Sequence, residues 1–93
     1  MKPHVAIAKL KTRYYNYRVR LGEGAVRYER HGLRSIAECL HDAATALGRD
    51  FPEIEVSYEG VPLGTYSQAT LEHDTVLLAR RLEYLLEAFD GAP

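Results

Sequence analysis

The sequence of 93 residues contains no tryptophan and a single cysteine, Cys39. One cysteine excludes an intramolecular disulfide framework and favours a reducing compartment. The first apolar segment, residues 5–10, is too short for the core of a signal peptide. No stretch of the sequence has the length and apolarity of a membrane span. We therefore expect a cytoplasmic protein that has no membrane partner.

Neither sign of charge dominates, because twelve Lys and Arg residues stand against thirteen Asp and Glu, for a net charge of −1. Dedicated nucleic-acid-binding domains are usually basic, so this balance argues against such a role for the whole chain. The contents of hydrophobic residues, 46%, and of charged residues, 27%, are typical of a globular protein. Ninety-three residues are enough for one domain but too few for two, so we expect residues 1–93 to form a single domain.

Apolar and polar residues alternate with a period of two in several segments, which is typical of strands that bury one face. Tyr15, Tyr17, Val19 and Leu21 alternate with Asn16, Arg18 and Arg20, and a Gly-Glu-Gly turn at 22–24 leads into a second alternating run at 25–29. This pattern predicts a hairpin. A loop at 22–23 would pair Val19 with Val26, whereas a loop at 23–24 would shift the partners by two residues and keep the same faces.

Two helices are predicted. Ser35 and Glu38 form a capping box, apolar residues follow at helical spacing to Leu47, and Gly48 stands at the C-terminal cap position. A long helix is predicted from about 71 to 89, with a main apolar stripe of Leu71, Leu78, Leu82, Leu85, Leu86 and Phe89.

The elements follow the order β-β-β-α-β-(β)-α, where the strands are predicted at 5–10, 15–21, 25–29 and 53–59. The optional strand at 61–66 contains Pro62 and would be an edge strand. The sequence therefore predicts an α+β fold with a mostly antiparallel sheet and two helices packed on one face.

Tyrosines and cationic residues are concentrated between residues 11 and 22. Such a mixture is typical of surfaces that stack bases and hold phosphates. The candidate contacts for a nucleic acid or another anion are Arg13, Tyr14, Arg18, Arg20 and Arg27. We expect the same outward face to carry Glu29, Glu53, Glu55 and Glu59, whose charges would pair with the arginines and cancel their field. Charge pairing is the favoured interpretation, although the order of the strands could separate the two sets.

No group of residues predicts catalysis. The first strand lacks the carboxylates that a two-metal nuclease requires. The dipeptides His41-Asp42 and His73-Asp74 lie on predicted helices, where adjacent side chains diverge by about 100°. Cys39 borders the apolar stripe of its helix, so we expect it to be a half-buried filler. We therefore expect a protein that has no enzymatic activity, no cofactor and no metal.

The last predicted helix carries a second apolar strip, formed by Leu77, Tyr84 and Ala88 with Arg81 beside it. A stacked apolar strip outside the main stripe favours a binding surface. The leading hypothesis is a small protein-interaction module that binds another protein or its own copy as a homodimer through Leu77, Arg81, Tyr84 and Ala88. An inhibitor or regulator from a mobile element belongs to the same class, and no residue supports it specifically. The alternative is a nucleic-acid-binding module that uses the arginine-rich outer face of the sheet.

Overall fold

A computed structural model describes residues 2–22, 24 and 26–90 of the chain, with the backbone alone for 88–90. The strands are β1 (Pro3–Lys11), β2 (Tyr14–Leu21), β3 (Val26–Leu33), β4 (Glu53–Tyr58) and β5 (Val61–Ser67). The helices are α1 (Ile36–Leu47), α2 (Gln68–His73) and α3 (Thr75–Asp90), and a short 3₁₀ turn, Gly48–Asp50, follows α1. The predicted α+β class, the strand at 61–66 and the order of the elements up to β5 are confirmed.

The five strands form one mixed sheet in the order β3-β2-β1-β4-β5. The pairs β1–β2, β2–β3 and β4–β5 are antiparallel, whereas β1 and β4 are parallel. A parallel neighbour requires a crossover connection, and α1 provides it between β3 and β4. The central position of β1 agrees with its apolar residues on both parities.

The hairpin of β2 and β3 has the second of the two predicted registers, because Val19 pairs with Tyr28 and Tyr17 with Arg30. A bulge between Val19 and Arg20 then brings Arg20 opposite Val26. The bulge leaves Arg27 without a partner in the ladder, so its predicted place beside Arg18 and Arg20 is not part of the regular pairing.

The core lies between one face of the sheet and the helices. The sheet contributes Val5, Ile7, Tyr17, Val19, Ile54 and Val56, and the helices contribute Cys39, Leu40, Ala43, Ala44, Leu71, Leu78 and Leu82. These positions confirm the predicted inward faces of β4 and α1, and that of β2 at Tyr17 and Val19. Tyr15 is half-buried against the core, whereas Leu21 is not part of it. Cys39 is an exception, because it is fully buried within the core and does not lie at its border as predicted.

The prediction of a single helix over 71–89 is wrong, since α2 ends at His73 and α3 begins at Thr75. Asp74 leaves the helical conformation, with a φ of −112° and a ψ of 30°, and at this break the Thr75 hydroxyl donates hydrogen bonds to the carbonyl oxygens of Leu71 and Glu72. The amide of Leu78 then bonds the carbonyl oxygen of Asp74 at 3.0 Å and starts α3.

This break changes the predicted apolar stripe. Leu71, Leu78 and Leu82 are buried and Leu86 is half-buried, but Leu85 is 41% exposed. The side chain of Phe89 lies outside the described residues.

Candidate functional surfaces

The outward side of α3 is the first candidate surface. Leu78, Ala79 and Leu82 face the core, and Tyr84 follows Leu82 by two residues, about 200° further around the helix. Leu77 lies two turns before Tyr84 on the same side. Leu77 is 69% exposed and Tyr84 is 73% exposed. We name Leu77, Arg81 and Tyr84 the α3 outer face.

The sequence predicted this surface, and the structure places three of its four residues there. Arg81 is also exposed, and it forms no ion pair within the described part of the chain. Ala88 lies in α3, but its side chain is outside the described residues. Exposed apolar side chains of this size indicate a binding surface when they are stacked, as Leu77 and Tyr84 are.

A second candidate surface is a cleft of about 590 Å³ between α1 and the α2–α3 junction, which we name the helical cleft. Its apolar lining consists of Leu33, Ala37, Val76 and Leu77. Its polar lining consists of Arg30, Glu38, His41, Asp42, Glu72, His73, Asp74 and Thr75. Small-molecule pockets in proteins have volumes in this range.

Sequence reasoning missed the helical cleft, although it had noted both His-Asp dipeptides that line it. The packing of α2 on α1 brings them to one place. Gln68 Nε2 donates to the carbonyl oxygen of Ala44 at 3.1 Å, and His41 Nδ1 donates to the carbonyl oxygen of Glu72 at 3.1 Å. No periodicity in the sequence indicates that these two helices are neighbours.

At one end of the cleft, Asp42 joins α1 to the sheet. Its carboxylate accepts a hydrogen bond from the Tyr17 hydroxyl, and its other oxygen lies 2.9 Å from Arg30 Nη1. Burial, and then the hydrogen bond to Asp42, raise the pKa of the Tyr17 hydroxyl far above its ordinary value. Because this carboxylate already has two partners, Asp42 is a structural member of the cleft wall.

The third candidate surface is the face of the sheet that the helices leave uncovered. Charge pairs cover part of it, as the sequence predicted. Arg18 Nε lies 3.4 Å from a carboxylate oxygen of Glu29, and His31 Nε2 lies 2.9 Å from the same oxygen. On the other side of β1, His4 Nδ1 lies 3.4 Å from Glu55.

Strand β1 lies between the arginines of β2 and the glutamates of β4. Arg18 and Arg20 therefore do not form the expected ion pairs with Glu53 and Glu55. Glu59 accepts a hydrogen bond from the backbone N–H of Lys9 instead. A groove on this face, which we name the sheet groove, has a volume of about 810 Å³. It is lined by Lys2, His4, Ala6, Arg18, Arg20, Gly22 and Glu55.

The other residues predicted to contact an anion lie outside the sheet groove. Arg13 occupies the turn between β1 and β2 with a φ of 58°, and Tyr14 begins β2. The Lys11 ammonium lies 5.6 Å from the centre of the Tyr14 ring. Arg27 is exposed at the bulge of β3. The sheet groove therefore unites Arg18 and Arg20 with Lys2 and not with these three residues.

The described residues form neither a metal centre nor a reactive thiol site. Among them, no three His, Cys, Asp or Glu side chains lie close enough together to hold a metal ion. Burial raises the pKa of the Cys39 thiol to about 12, which leaves it protonated and unreactive. None of the helices, as far as they are described, is both long and apolar enough to cross a membrane.

No protein-family model matches the chain, and neither a curated protein nor a solved structure is significantly similar to it.

Proposed function

We propose that this protein is a non-catalytic interaction module that self-associates through the α3 outer face. The observation that carries the proposal is the exposure of Leu77 and Tyr84, 69% and 73%, on the side of α3 opposite the core. Burying one large apolar side chain contributes about 1.5–3 kcal/mol, so two such residues in each copy favour association. Tyrosine also provides rigid contact area, and it is enriched in protein interfaces.

Self-association is supported by the form of the surface. A two-fold dimer brings the same patch of each copy together, so each exposed group is used twice. The face is a single helix side, and interfaces of this size give weak or transient dimers. We therefore expect a dimer that dissociates in the micromolar range.

The test is sedimentation velocity from low to high micromolar concentration on the wild type and on the double variant Leu77→Glu, Tyr84→Glu. We expect the wild type to dimerise and the variant to stay monomeric, because the interface would bury four added carboxylates. The control is Leu10→Glu, Thr45→Glu, which adds the same charge at exposed positions on β1 and α1. A wild type that is monomeric throughout, or a dimer that tolerates Leu77→Glu, Tyr84→Glu, contradicts the proposal.

A second candidate function is the binding of a single-stranded nucleic acid in the sheet groove. The observation that favours it is the position of β1, which separates Arg18 and Arg20 from the carboxylates of β4. Lys2 and Arg20 form no ion pair within the described residues, and His4 is the ion-pair partner of Glu55. Lys2 and Arg20 are thus available to bind phosphates. Arg18 would be shared between Glu29 and the bound phosphate.

Fluorescence anisotropy with labelled single-stranded oligonucleotides at several salt concentrations tests this function. If it holds, Arg18→Ala, Arg20→Ala lowers the affinity and reduces the salt slope by about 0.7 for each phosphate that is no longer neutralised. The control Arg34→Ala, Arg49→Ala removes the same charge from exposed positions outside the groove. Equal binding by the two double variants would reject the sheet groove as a nucleic-acid site.

A further inference from the structure

Leu77 of the α3 outer face has an acidic side chain before it, towards the helical cleft, and a basic side chain after it. Asp74 precedes Leu77 by three residues, and Arg81 follows it by four. Leu77 and Arg81 share one side of α3, and Asp74 directly precedes the helix, where its carbonyl oxygen accepts the bond from the Leu78 amide. Within the described part of the chain, neither the Asp74 carboxylate nor the Arg81 guanidinium has a salt-bridge or side-chain hydrogen-bond partner. Along this surface, an acidic side chain, a leucine and a basic side chain therefore follow one another.

This order of side chains is complementary to the same order read in the opposite direction, as in two antiparallel copies of α3. When a second copy of α3 runs antiparallel to the first and a two-fold axis passes close to Leu77, the acid of each copy lies opposite the base of the other. Arg81 of each copy then lies beside Asp74 of the second copy, and the pair occurs twice. An isologous contact of this kind requires a self-complementary surface, and the order Asp74, Leu77, Arg81 provides one.

The same antiparallel register also determines where Tyr84 lies on the second copy. Tyr84 lies seven residues beyond Leu77, which is about 10 Å along the helix. An equal distance on the other side of Leu77 reaches Thr70 in α2, within one turn of Glu72 and His73, which line the helical cleft. In the antiparallel pair, Tyr84 of each copy thus lies beside α2 of the other, within reach of the helical cleft.

The helical cleft has the chemistry of a tyrosine site. Leu33, Ala37 and Val76 provide apolar contacts for the ring. The carboxylates of Glu38 and Glu72 lie in the same lining. One oxygen of each already accepts a bond, from the Arg34 amide and the Gln68 side chain, and the second oxygen can accept a hydrogen bond from the tyrosine hydroxyl. With Asp74, they also make this lining acidic, which complements the incoming Arg81.

We propose that the protein forms an antiparallel two-fold dimer in which Tyr84 of each copy enters the helical cleft of the other, and Arg81 of each copy pairs with Asp74 of the other. This inference rests on the proposed self-association and adds its register and its receiving site. It accounts for two features together, the exposed tyrosine of α3 and the partly apolar cleft beside the α2–α3 junction.

Charge exchange tests the pairing. Arg81→Asp and Asp74→Arg each place like charges together in their own homodimers, and we expect each to weaken dimerisation at least about tenfold. When the two variants are mixed, every contact in the mixed dimer joins opposite charges, so association returns in the mixture. The double variant Arg81→Asp, Asp74→Arg should also dimerise. Light scattering measures all four samples, and circular dichroism verifies that each variant is folded.

The control mixture is Lys9→Asp with Glu53→Arg, whose exposed positions lie on β1 and β4, away from the α3 outer face. We expect each of these variants to dimerise alone as the wild type does.

Fluorescence tests the cleft. Because the chain has no tryptophan, Tyr84→Trp introduces a single indole. We expect its emission to shift to shorter wavelength as the concentration rises, since the indole leaves water for the cleft. Ala37→Leu, which fills the cleft, should abolish this shift and weaken dimerisation about tenfold. The control Ala46→Leu enlarges an exposed alanine of the same helix.

The outcomes distinguish the two proposals. Restored association in the mixture together with a blue shift that Ala37→Leu removes supports this dimer. A dimer that depends on Leu77 and Tyr84, but is not restored in the mixture or shows no blue shift, overturns the register and leaves the proposed self-association intact. A monomeric wild type overturns both.

Discussion

The hydroxyl of Tyr17 on β2 donates a hydrogen bond to the carboxylate of Asp42 on α1. Tyr17 is fully buried, and its ring also lies 5.9 Å from that of Tyr28 on β3. The bond therefore fixes the position of the crossover helix α1 over the antiparallel half of the sheet. Arg30, on the strand beyond Tyr17, bonds the second carboxylate oxygen and completes the link.

Removing the Tyr17 hydroxyl should destabilise the fold measurably. We expect Tyr17→Phe to lower the free energy of unfolding by about 1–2 kcal/mol, because the partly buried Asp42 carboxylate loses a donor. Arg30→Ala should cost less than about 1 kcal/mol, since the Arg30 side chain is largely exposed. Urea unfolding of both single variants and of the double variant measures the coupling. Strictly additive effects would contradict a shared role of Asp42.

The core positions of α1 and α3 should be far more sensitive than the outer face of α3. Leu40 and Leu82 have no exposed surface, so replacement of either by Ala should cost about 2–5 kcal/mol. The matched control is Leu77→Ala, which removes the same atoms from a residue that is 69% exposed and should change stability by less than about 0.5 kcal/mol at monomer concentrations. Similar melting temperatures for all three variants would reject the orientation of both helices.

The fold should lose stability at alkaline pH. Burial raises the pKa of the Tyr17 and Tyr15 hydroxyls above their ordinary value of 10.0, and that of the Cys39 thiol from 9.0 to about 12. Groups whose pKa is raised in the folded state retain their protons longer when folded. Their contribution is therefore complete below the unfolded pKa values and is lost as the pH rises above about 9 to 10.

Urea unfolding midpoints at neutral and alkaline pH measure this loss. A Tyr17→Phe, Cys39→Ala variant lacks two of the three groups, so its midpoint should depend less steeply on pH. An equal dependence in the wild type and the variant would assign the alkaline transition to other groups.

The Cys39 thiol should be inert in the native state. It is fully buried between α1 and the sheet, and its raised pKa leaves little thiolate at pH 8. We expect a thiol reagent to label the protein only after urea unfolds it. The variant Ala46→Ser should leave this behaviour unchanged, whereas Ala46→Cys provides an exposed thiol on the same helix that labels at once. Rapid labelling of the native wild type would place Cys39 at the surface.

Gly48 at the end of α1 should resist substitution. Its φ of 68° and ψ of −164° belong to a region that only glycine occupies readily. An added Cβ would meet no atom within 4 Å, so the cost of Gly48→Ala, about 1–3 kcal/mol, would come from the backbone conformation alone. Gly24→Ala is the control, because its φ lies outside this region and its Cβ would make an ordinary 3.6 Å contact. Thermal unfolding should separate the two variants.

The local features of the fold could be predicted from the sequence because they depend on residues that are close in the chain. The alternation that placed Tyr17 and Val19 inward reflects the two-residue period of a strand, and it is confirmed. The serine half of the capping box is also confirmed, since the Ser35 hydroxyl accepts a bond from the Glu38 amide at 3.1 Å. The Glu38 carboxylate accepts from the backbone N–H of Arg34 at 2.8 Å, one residue before the cap. The exposure of Leu77 and Tyr84 follows equally from the helical period.

The break at Asp74 could not be predicted from the same periodicity, because apolar residues continue at helical spacing across it. The Thr75 hydroxyl competes for the carbonyl oxygens of Leu71 and Glu72, and a threonine inside an apolar pattern gives no sign of which backbone groups it will bond. The interruption divides the predicted stripe between α2 and α3 and creates one wall of the helical cleft.

By itself the sequence determined which side of each strand and helix is apolar, since that depends only on the local repeat of side chains. The tertiary structure alone decided which elements are neighbours. Backbone hydrogen bonds between strands are nearly independent of side-chain identity, so nothing local indicates that β1 lies between Arg18 and Glu55. The meeting of His41 and His73 in one cleft likewise requires α1 and α2 to pack together, and only the closure of the shared core brings them there.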